Sequence, residues 1–268
     1  MPILHRVITT LVLSYLATCI GLFVAQDKIL FYPDEQTNKL YAEYEEFELP
    51  VDRSGKISVR GYVVNREDPG PVVVFFTGNL GEARTYVDRL EDFGVPAVIN
   101  NYRGFGKSDG RPREKTMIKD AKLLVAWVRA EFPDRPLILM GNSMGTGVAI
   151  LASDENIDGL ILAAPYRSLV HVGRKTPGRF FPLRLLMRTK FDVRSRLDSL
   201  PDKVLVLYSK DDTLIRAEET LHVLDQVPQA DVVVARGHHN NLLWYSYTLA
   251  SIEKWIKTNF SEAIKGNP

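Results

Sequence analysis

Two rhythms of apolar and polar residues run along this chain, after an opening stretch that has neither. Residues Val7 to Ala25, VITTLVLSYLATCIGLFVA, are uninterrupted by charge. As a helix, that length is about enough to cross a hydrocarbon core of roughly 30 Å. From about residue 42 onward, strand and helix patterns alternate. EYEEFELP and KISVRGYVV interleave apolar and polar residues, as half-buried antiparallel strands do. Continuous apolar runs follow: VVVFF (72–76), VPAVI (95–99), LILM (137–140), GLILAA (159–164), KVLVLY (203–208) and DVVVA (231–235). Such runs predict strands covered on both faces. In 115–132, Met117, Ile118, Ala121, Leu124, Val125 and Val128 fall on one helical face. Residues 217–226 and 241–260 carry similar patterns. The alternation predicts an α/β fold with a mostly parallel, doubly wound sheet. One long stretch, 166–202, breaks it and is expected to insert as a small helical cap. The expected organisation is an N-terminal segment, 1–27, followed by one domain, 28–268.

Composition narrows the partners. Across 268 residues the formal net charge is +1, so no global field favours nucleic acid. Cys19 is the only cysteine, which rules out an intrachain disulfide. The apolar N-terminal run is longer than the core of a secretory signal and lacks a good cleavage site. It is read as an uncleaved anchor, the alternatives being a cleaved or lipidated signal and a buried core helix. Arg6 before it favours an amino terminus on the cytoplasmic side, with the domain extracytoplasmic.

The candidate chemistry begins at LILMGNSMGTGVAI (137–150). Gly141 and Gly145 flank Ser143 at minus two and plus two, the G-x-S-x-G pattern of a sharp strand-to-helix turn. Side chains at those two positions would collide with the neighbouring strand and helix. Here the pattern follows a strand run and opens a helical one, as the mechanism demands. Two phosphate-binding patterns fail on spacing. GFGKS (104–108) has Asn101 where a phosphate loop needs its first glycine, and GTGVAI ends in Ile150 where a dinucleotide fingerprint needs glycine.

A nucleophilic serine needs a base, and the base needs an orienting carboxylate. Asp211 and Asp212 follow the KVLVLY strand; His238 and His239 follow DVVVA. All three loops therefore lie at the carboxyl ends of parallel strands, the rim where such sheets build their sites. Oxyanion donors are expected from the N–H of Met144 and from the loop TGNLGEA (77–83). Asn79 is the candidate there, with Leu80 as alternative.

These motifs resemble those of α/β-hydrolase-fold serine hydrolases, in particular a subgroup with one N-terminal membrane segment. KILFYP (28–33), NYRGFGKSDGRP (101–112) with Glu114 and Asp120, GNSMG (141–145), RSL (167–169) and KFD (190–192) carry the resemblance. It implies Ser143 as nucleophile. It implies Asp212 as the acid, because Asp212 stands three residues before Ile215 in a D-x-x-[VI] pattern. It implies His239 as the base, because G-G-H-N reads here as Gly237-His238-His239-Asn240. The chain departs from the pattern at Thr77 (usually His), Asn101 (usually Asp), Arg216 (usually Pro) and His238 (usually Gly).

The expected function is membrane-anchored hydrolysis of carboxyl esters or thioesters through an acyl-enzyme, with no metal or organic cofactor. The expected substrate is a small-molecule or lipid acyl ester. A peptidase or amidase would use the same residues, and a non-catalytic scaffold on this fold is the alternative of another class. The sequence leaves oligomeric state unassigned. Because Ser143, Asp212 and His239 all follow residue 27, a chain beginning near Asp27 is expected to be soluble and still active. Arg167, Arg174, Lys175, Arg179, Arg184, Arg188, Lys190, Arg194 and Arg196 make 166–202 strongly basic. Two readings stand: solvated arginines around a cap whose apolar residues pack on the core, or a basic surface near the bilayer that favours anionic or lipid-like esters.

Overall fold

The computed structural model describes residues 2–33 and 44–265. Its sheet has eight strands: β1 (Glu45–Pro50), β2 (Ser58–Val64), β3 (Val72–Phe76), β4 (Ala97–Asn100), β5 (Leu137–Asn142), β6 (Gly159–Ala163), β7 (Val204–Ser209) and β8 (Asp231–Ala235). Their order is β8-β7-β6-β5-β3-β4-β2-β1. β2 runs antiparallel to β1 and β4, and every other pairing is parallel. This is the α/β-hydrolase arrangement. β1 comes from EYEEFELP, whose first residue, Glu43, lies outside the described residues.

The helices are α1 (Pro2–Leu30), α2 (Val87–Glu91), α3 (Glu114–Glu131), α4 (Met144–Ala152), α5 (Leu169–Arg174), α6 (Leu183–Leu186), α7 (Ala217–Leu224), α8 (Ser246–Asn259) and α9 (Ser261–Ile264). α3 buries Met117, Ala121, Leu124, Val125 and Val128, the stripe its sequence spacing predicts. The runs at β3, β5 and β6 are almost wholly buried, as strands inside a layered sheet should be. β8 differs. Val232 and Val234 are 46% and 48% exposed, because β8 is an edge strand beside β7 alone. The helical pattern over 241–260 is also split. A 3₁₀ turn, His239–Trp244, precedes α8, and extended backbone at Tyr245 (φ −87°, ψ 129°) separates the two.

Between β6 and β7 the chain forms α5, a 3₁₀ turn at Pro177–Phe180, α6 and a second 3₁₀ turn at Arg194–Ser199. These short helices are the expected cap. Ser168 caps α5 by accepting from the His171 N–H. α1 is an exposed apolar helix, only 6% buried across its most apolar window, so it is not a core helix. It lies against the cap. Tyr15 donates to Phe180 O at 3.0 Å and stacks on Phe181 at 5.7 Å. Gln26 donates to Leu186 O (3.1 Å) and accepts from Arg188 N (2.7 Å). Arg188 also pairs with Asp27 at 3.1 Å.

A buried ion pair fixes the loop 101–112 to α3. Arg103 meets Asp120 through two bonds, Nε to Oδ2 at 2.6 Å and Nη2 to Oδ1 at 2.7 Å. Next to it, Tyr102 donates to Thr77 O at 2.8 Å, one residue before Gly78 and Asn79. Asp120→Ala leaves the buried guanidinium without its counter-charge, at an expected cost of about 3–5 kcal/mol. Arg103→Met combined with Asp120→Leu should cost far less. Urea midpoints of the three proteins check the ranking.

Candidate active site

The turn after β5 sets the geometry. Ser143 has φ +53° and ψ −121°, a left-handed backbone that only strong surroundings maintain. Those surroundings are visible. Ser143 N donates to Ala163 O on β6 at 2.8 Å. Ser143 O accepts from Thr146 N (2.9 Å) and Thr146 Oγ1 (2.7 Å). The two glycines make the turn possible. A Cβ at 141 would lie 2.5 Å from Gly145 O, and one at 145 would overlap the carbonyl oxygens of Phe76 and Thr77. Ser143 thus emerges between β5 and α4 with its hydroxyl raised above the sheet rim.

A hydrogen-bonded chain meets that hydroxyl. His239 Nε2 is 2.7 Å from Ser143 Oγ, and His239 Nδ1 is 2.6 Å from Asp212 Oδ2. The Asp212 carboxylate is buried, and its Oδ1 accepts from the N–H groups of Leu214 (2.9 Å) and Ile215 (2.8 Å). Those bonds give the D-x-x-[VI] spacing a physical cause: the carboxylate caps the turn that follows it. The neighbouring residues point elsewhere. Asp211 is exposed and accepts from Gly237 N at 3.1 Å, tying the two loops together. His238 is exposed. Gly237, at φ +98°, packs on Tyr245, whose ring would collide with a Cβ there.

The loop 77–83 runs beside Ser143. Gly78 approaches within van der Waals contact of Ser143 Cβ, at 3.6 Å from its own would-be Cβ. Asn79 is anchored at both ends: its side chain donates to Leu30 O (2.8 Å) and its carbonyl accepts from Tyr32 N (2.9 Å). Met144 opens α4, so its N–H has no partner within the helix. Asn101 explains one departure from the family pattern. It accepts from Ala83 N (2.8 Å) and donates to the buried carboxylate of Glu82 (3.2 Å). An aspartate at 101 would set two carboxylates together.

Two cavities meet at Ser143, sharing Tyr32 and Asn79. One, of about 590 Å³, is lined by polar and aromatic groups including Tyr86, Asn142, Asn241 and Trp244. The other, of about 620 Å³, is mostly apolar and runs between the cap and α1. Its wall includes Leu22, Gln26, Ile29 and Leu30. Ser143, Asp212 and His239 all follow residue 27, whereas part of the cavity wall beside Ser143 precedes it. Sequence periodicity missed this wall because a uniformly apolar segment does not reveal which of its faces packs on protein.

The basic cap also reads differently in three dimensions. Arg167 pairs with Glu219, Lys175 with Glu218, Arg188 with Asp27 and Arg194 with Asp192. Arg196 donates to Ser153 O at 2.8 Å. Much of the expected positive face is thus neutralised within the fold. His171 stays below the usual histidine range, through burial first and the nearby Arg167 charge second. It adds no cation to the cap near neutral pH.

Comparison with known proteins agrees with this architecture. The serine aminopeptidase S33 family model matches residues 67–196, a span that holds Ser143 and ends before Asp212 and His239. The chain is 27% identical over 209 residues to the lysophosphatidylserine lipase ABHD12 of Danio rerio, covering 69% of this chain and 54% of that protein. It is 28% identical over 220 residues to ABHD12B of Homo sapiens, covering 70% and 60%. The chain thus spans between half and two thirds of these curated relatives. Among solved structures, an esterase from Pyrococcus furiosus superposes with a TM-score of 0.67 at 18% identity, covering 85% of this chain and 97% of that one. That likeness speaks to the fold.

The elbow has a direct steric test. Gly145→Ala forces backbone apart at Phe76 and Thr77, and overpacking of roughly 1–3 kcal/mol should lower the melting temperature by several degrees. Gly21→Ala, with nothing within 4 Å of its would-be Cβ, should leave it unchanged. Thermal unfolding of both variants against the parent reads the difference.

Proposed function

We propose that this chain, a hydrolase that belongs to the α/β-hydrolase superfamily, is a membrane-anchored serine hydrolase that cleaves carboxyl ester or thioester bonds of lipid-like substrates. The observation that carries this reading is the continuous Asp212–His239–Ser143 hydrogen-bonded chain at the carboxyl ends of three parallel strands.

In the proposed mechanism, Asp212 holds the Nδ1–H tautomer of His239, leaving Nε2 to take the proton of Ser143 Oγ as that oxygen attacks the acyl carbonyl. The buried carboxylate, held in place by two backbone N–H groups, stabilises the imidazolium. The N–H groups of Met144 and Asn79 receive the developing oxyanion, each worth roughly 3 kcal/mol in comparable sites. The imidazolium then gives its proton to the leaving oxygen or sulfur. Water, deprotonated by the same imidazole, resolves the acyl-enzyme to the free acid and restores the serine.

The two cavities supply the preference. The more apolar one suits an acyl chain, and the one lined by Asn142, Asn241 and Tyr86 suits a leaving group that hydrogen bonds to neutral amide and hydroxyl groups. ABHD12 of Danio rerio is named for lysophosphatidylserine, a lipid with one acyl chain, and a lipid ester is the reading that this likeness favours here. The paired cap arginines argue against charge as the main source of selectivity. α1 provides the proposed membrane attachment, with Arg6 on the cytoplasmic side and the domain on the other.

Ser143→Ala should abolish hydrolysis of a p-nitrophenyl ester while leaving the fold intact. Asp212→Asn should lower kcat by about three orders of magnitude or more, as in comparable triads, whereas Asp211→Asn should change it little. His239→Ala against His238→Ala should show the same contrast. Steady-state kinetics on the five variants decide it, and full turnover by Ser143→Ala would overturn the proposal. Hydrolysis of aminoacyl amides in preference to esters would move the reading to a peptidase.

A further inference from the structure

An anchor needs only to be long and apolar, yet α1 is tied into the working part of the domain. Gln26 is 6% exposed, and its amide bonds both Leu186 O and Arg188 N of the cap. Its neighbours Leu22 and Ile29 face the apolar cavity that reaches Ser143. The opposite wall comes from the cap, through Phe181, Leu183 and Leu186. Removing α1 would therefore take away the part of the wall made by Leu22, Gln26, Ile29 and Leu30.

Helix length adds a second, independent constraint. Contact with the cap begins at Tyr15. The charge-free part of α1 before it, from Val7 after Arg6 to Ser14, spans only about 12 Å at 1.5 Å per residue. A hydrocarbon core is roughly 30 Å thick. A spanning α1 must therefore bring its cap-bound turns, and the cap beside them, into the outer part of the bilayer. The cap surface suits that position. Phe180 and Leu185 are 66% and 82% exposed, and Arg174, Arg179 and Arg184 lie exposed around them. Apolar tips flanked by long basic side chains are the pattern of an interfacial surface, with arginines reaching headgroups.

We infer that α1 and the cap together form a passage through which the acyl chain of a membrane lipid moves sideways from the leaflet to Ser143, with Leu22 and Ile29 of α1 setting the room for that chain. This rests on the ester-hydrolase reading and deepens it. α1 is then a specificity element as well as an anchor, and the substrate never crosses water with its chain exposed. Polar groups of the substrate stay in the second cavity, near Asn142 and Asn241.

The test uses the full chain in phosphatidylcholine vesicles, with p-nitrophenyl palmitate in the bilayer and p-nitrophenyl butyrate in solution. Leu22→Trp fills the cavity and should lower the palmitate-to-butyrate ratio of kcat/KM about tenfold. The ratio within one preparation cancels any loss of folded protein. Phe180→Glu combined with Leu185→Glu lies outside both cavities. It should lower palmitate hydrolysis about tenfold, through the cost of carboxylates at the bilayer, and leave butyrate hydrolysis unchanged. An unaltered ratio in Leu22→Trp overturns the role of α1 as a wall. Unaltered palmitate hydrolysis in the double variant overturns passage from the leaflet. A parent that turns over neither ester overturns the hydrolase reading itself, and the inference with it.

Discussion

The whole arrangement depends on one backbone constraint, the left-handed turn at Ser143. A non-glycine residue at φ +53° costs of order 1–3 kcal/mol, and it persists because β6 and Thr146 bond it on both sides. The turn has room only because positions 141 and 145 lack a side chain. From there, the other contacts follow by topology. Strand order puts β7 and β8 on one side of β5, so the loops after them carry Asp212 and His239 to the same rim. β3 lies on the other side and brings Gly78 and Asn79 to the hydroxyl. The loop 101–112 then supports that loop from behind through Tyr102 and Asn101.

Much of this was readable from the sequence, because it rests on patterns with a local cause. Buried parallel strands read as apolar runs, and a serine between glycines reads as a sharp turn. The choice of Asp212 over Asp211 and of His239 over His238 came from resemblance. In the structure Asp212 caps its own turn and lies beside His239, whereas Asp211 bonds the Gly237 loop. What the sequence did not reveal depends on contacts between distant segments. The exposure of β8 follows from its edge position. The pairing of Arg188 with Asp27 and of Arg167 with Glu219 joins residues 161 and 52 positions apart, so a count of charges along 166–202 overstated the positive face.

The largest revision concerns α1. The apolar segment was read as an uncleaved anchor, with the site residues all after residue 27. In the structure Tyr15 and Gln26 dock it on the cap, and Leu22 and Ile29 face the cavity beside Ser143. On the proposed reading, attachment and substrate selection are properties of one element. The same packing explains why Gln26, a polar residue inside an apolar helix, is buried: both ends of its amide are satisfied by cap backbone.

The central claim is that Ser143 is the one serine activated for attack on an acyl carbonyl. The most direct measurement is peptide mapping by mass spectrometry after reaction of the full chain with a fluorophosphonate. The account predicts a single adduct, on Ser143. The protein offers its own internal control, because Ser168 Oγ also lies 2.8 Å from a histidine nitrogen, that of His171. Ser168 is a helix cap with no oxyanion donors assigned to it, and it should remain unmodified. An adduct on Ser168 instead, or an unreactive Ser143 in folded protein, would contradict the account.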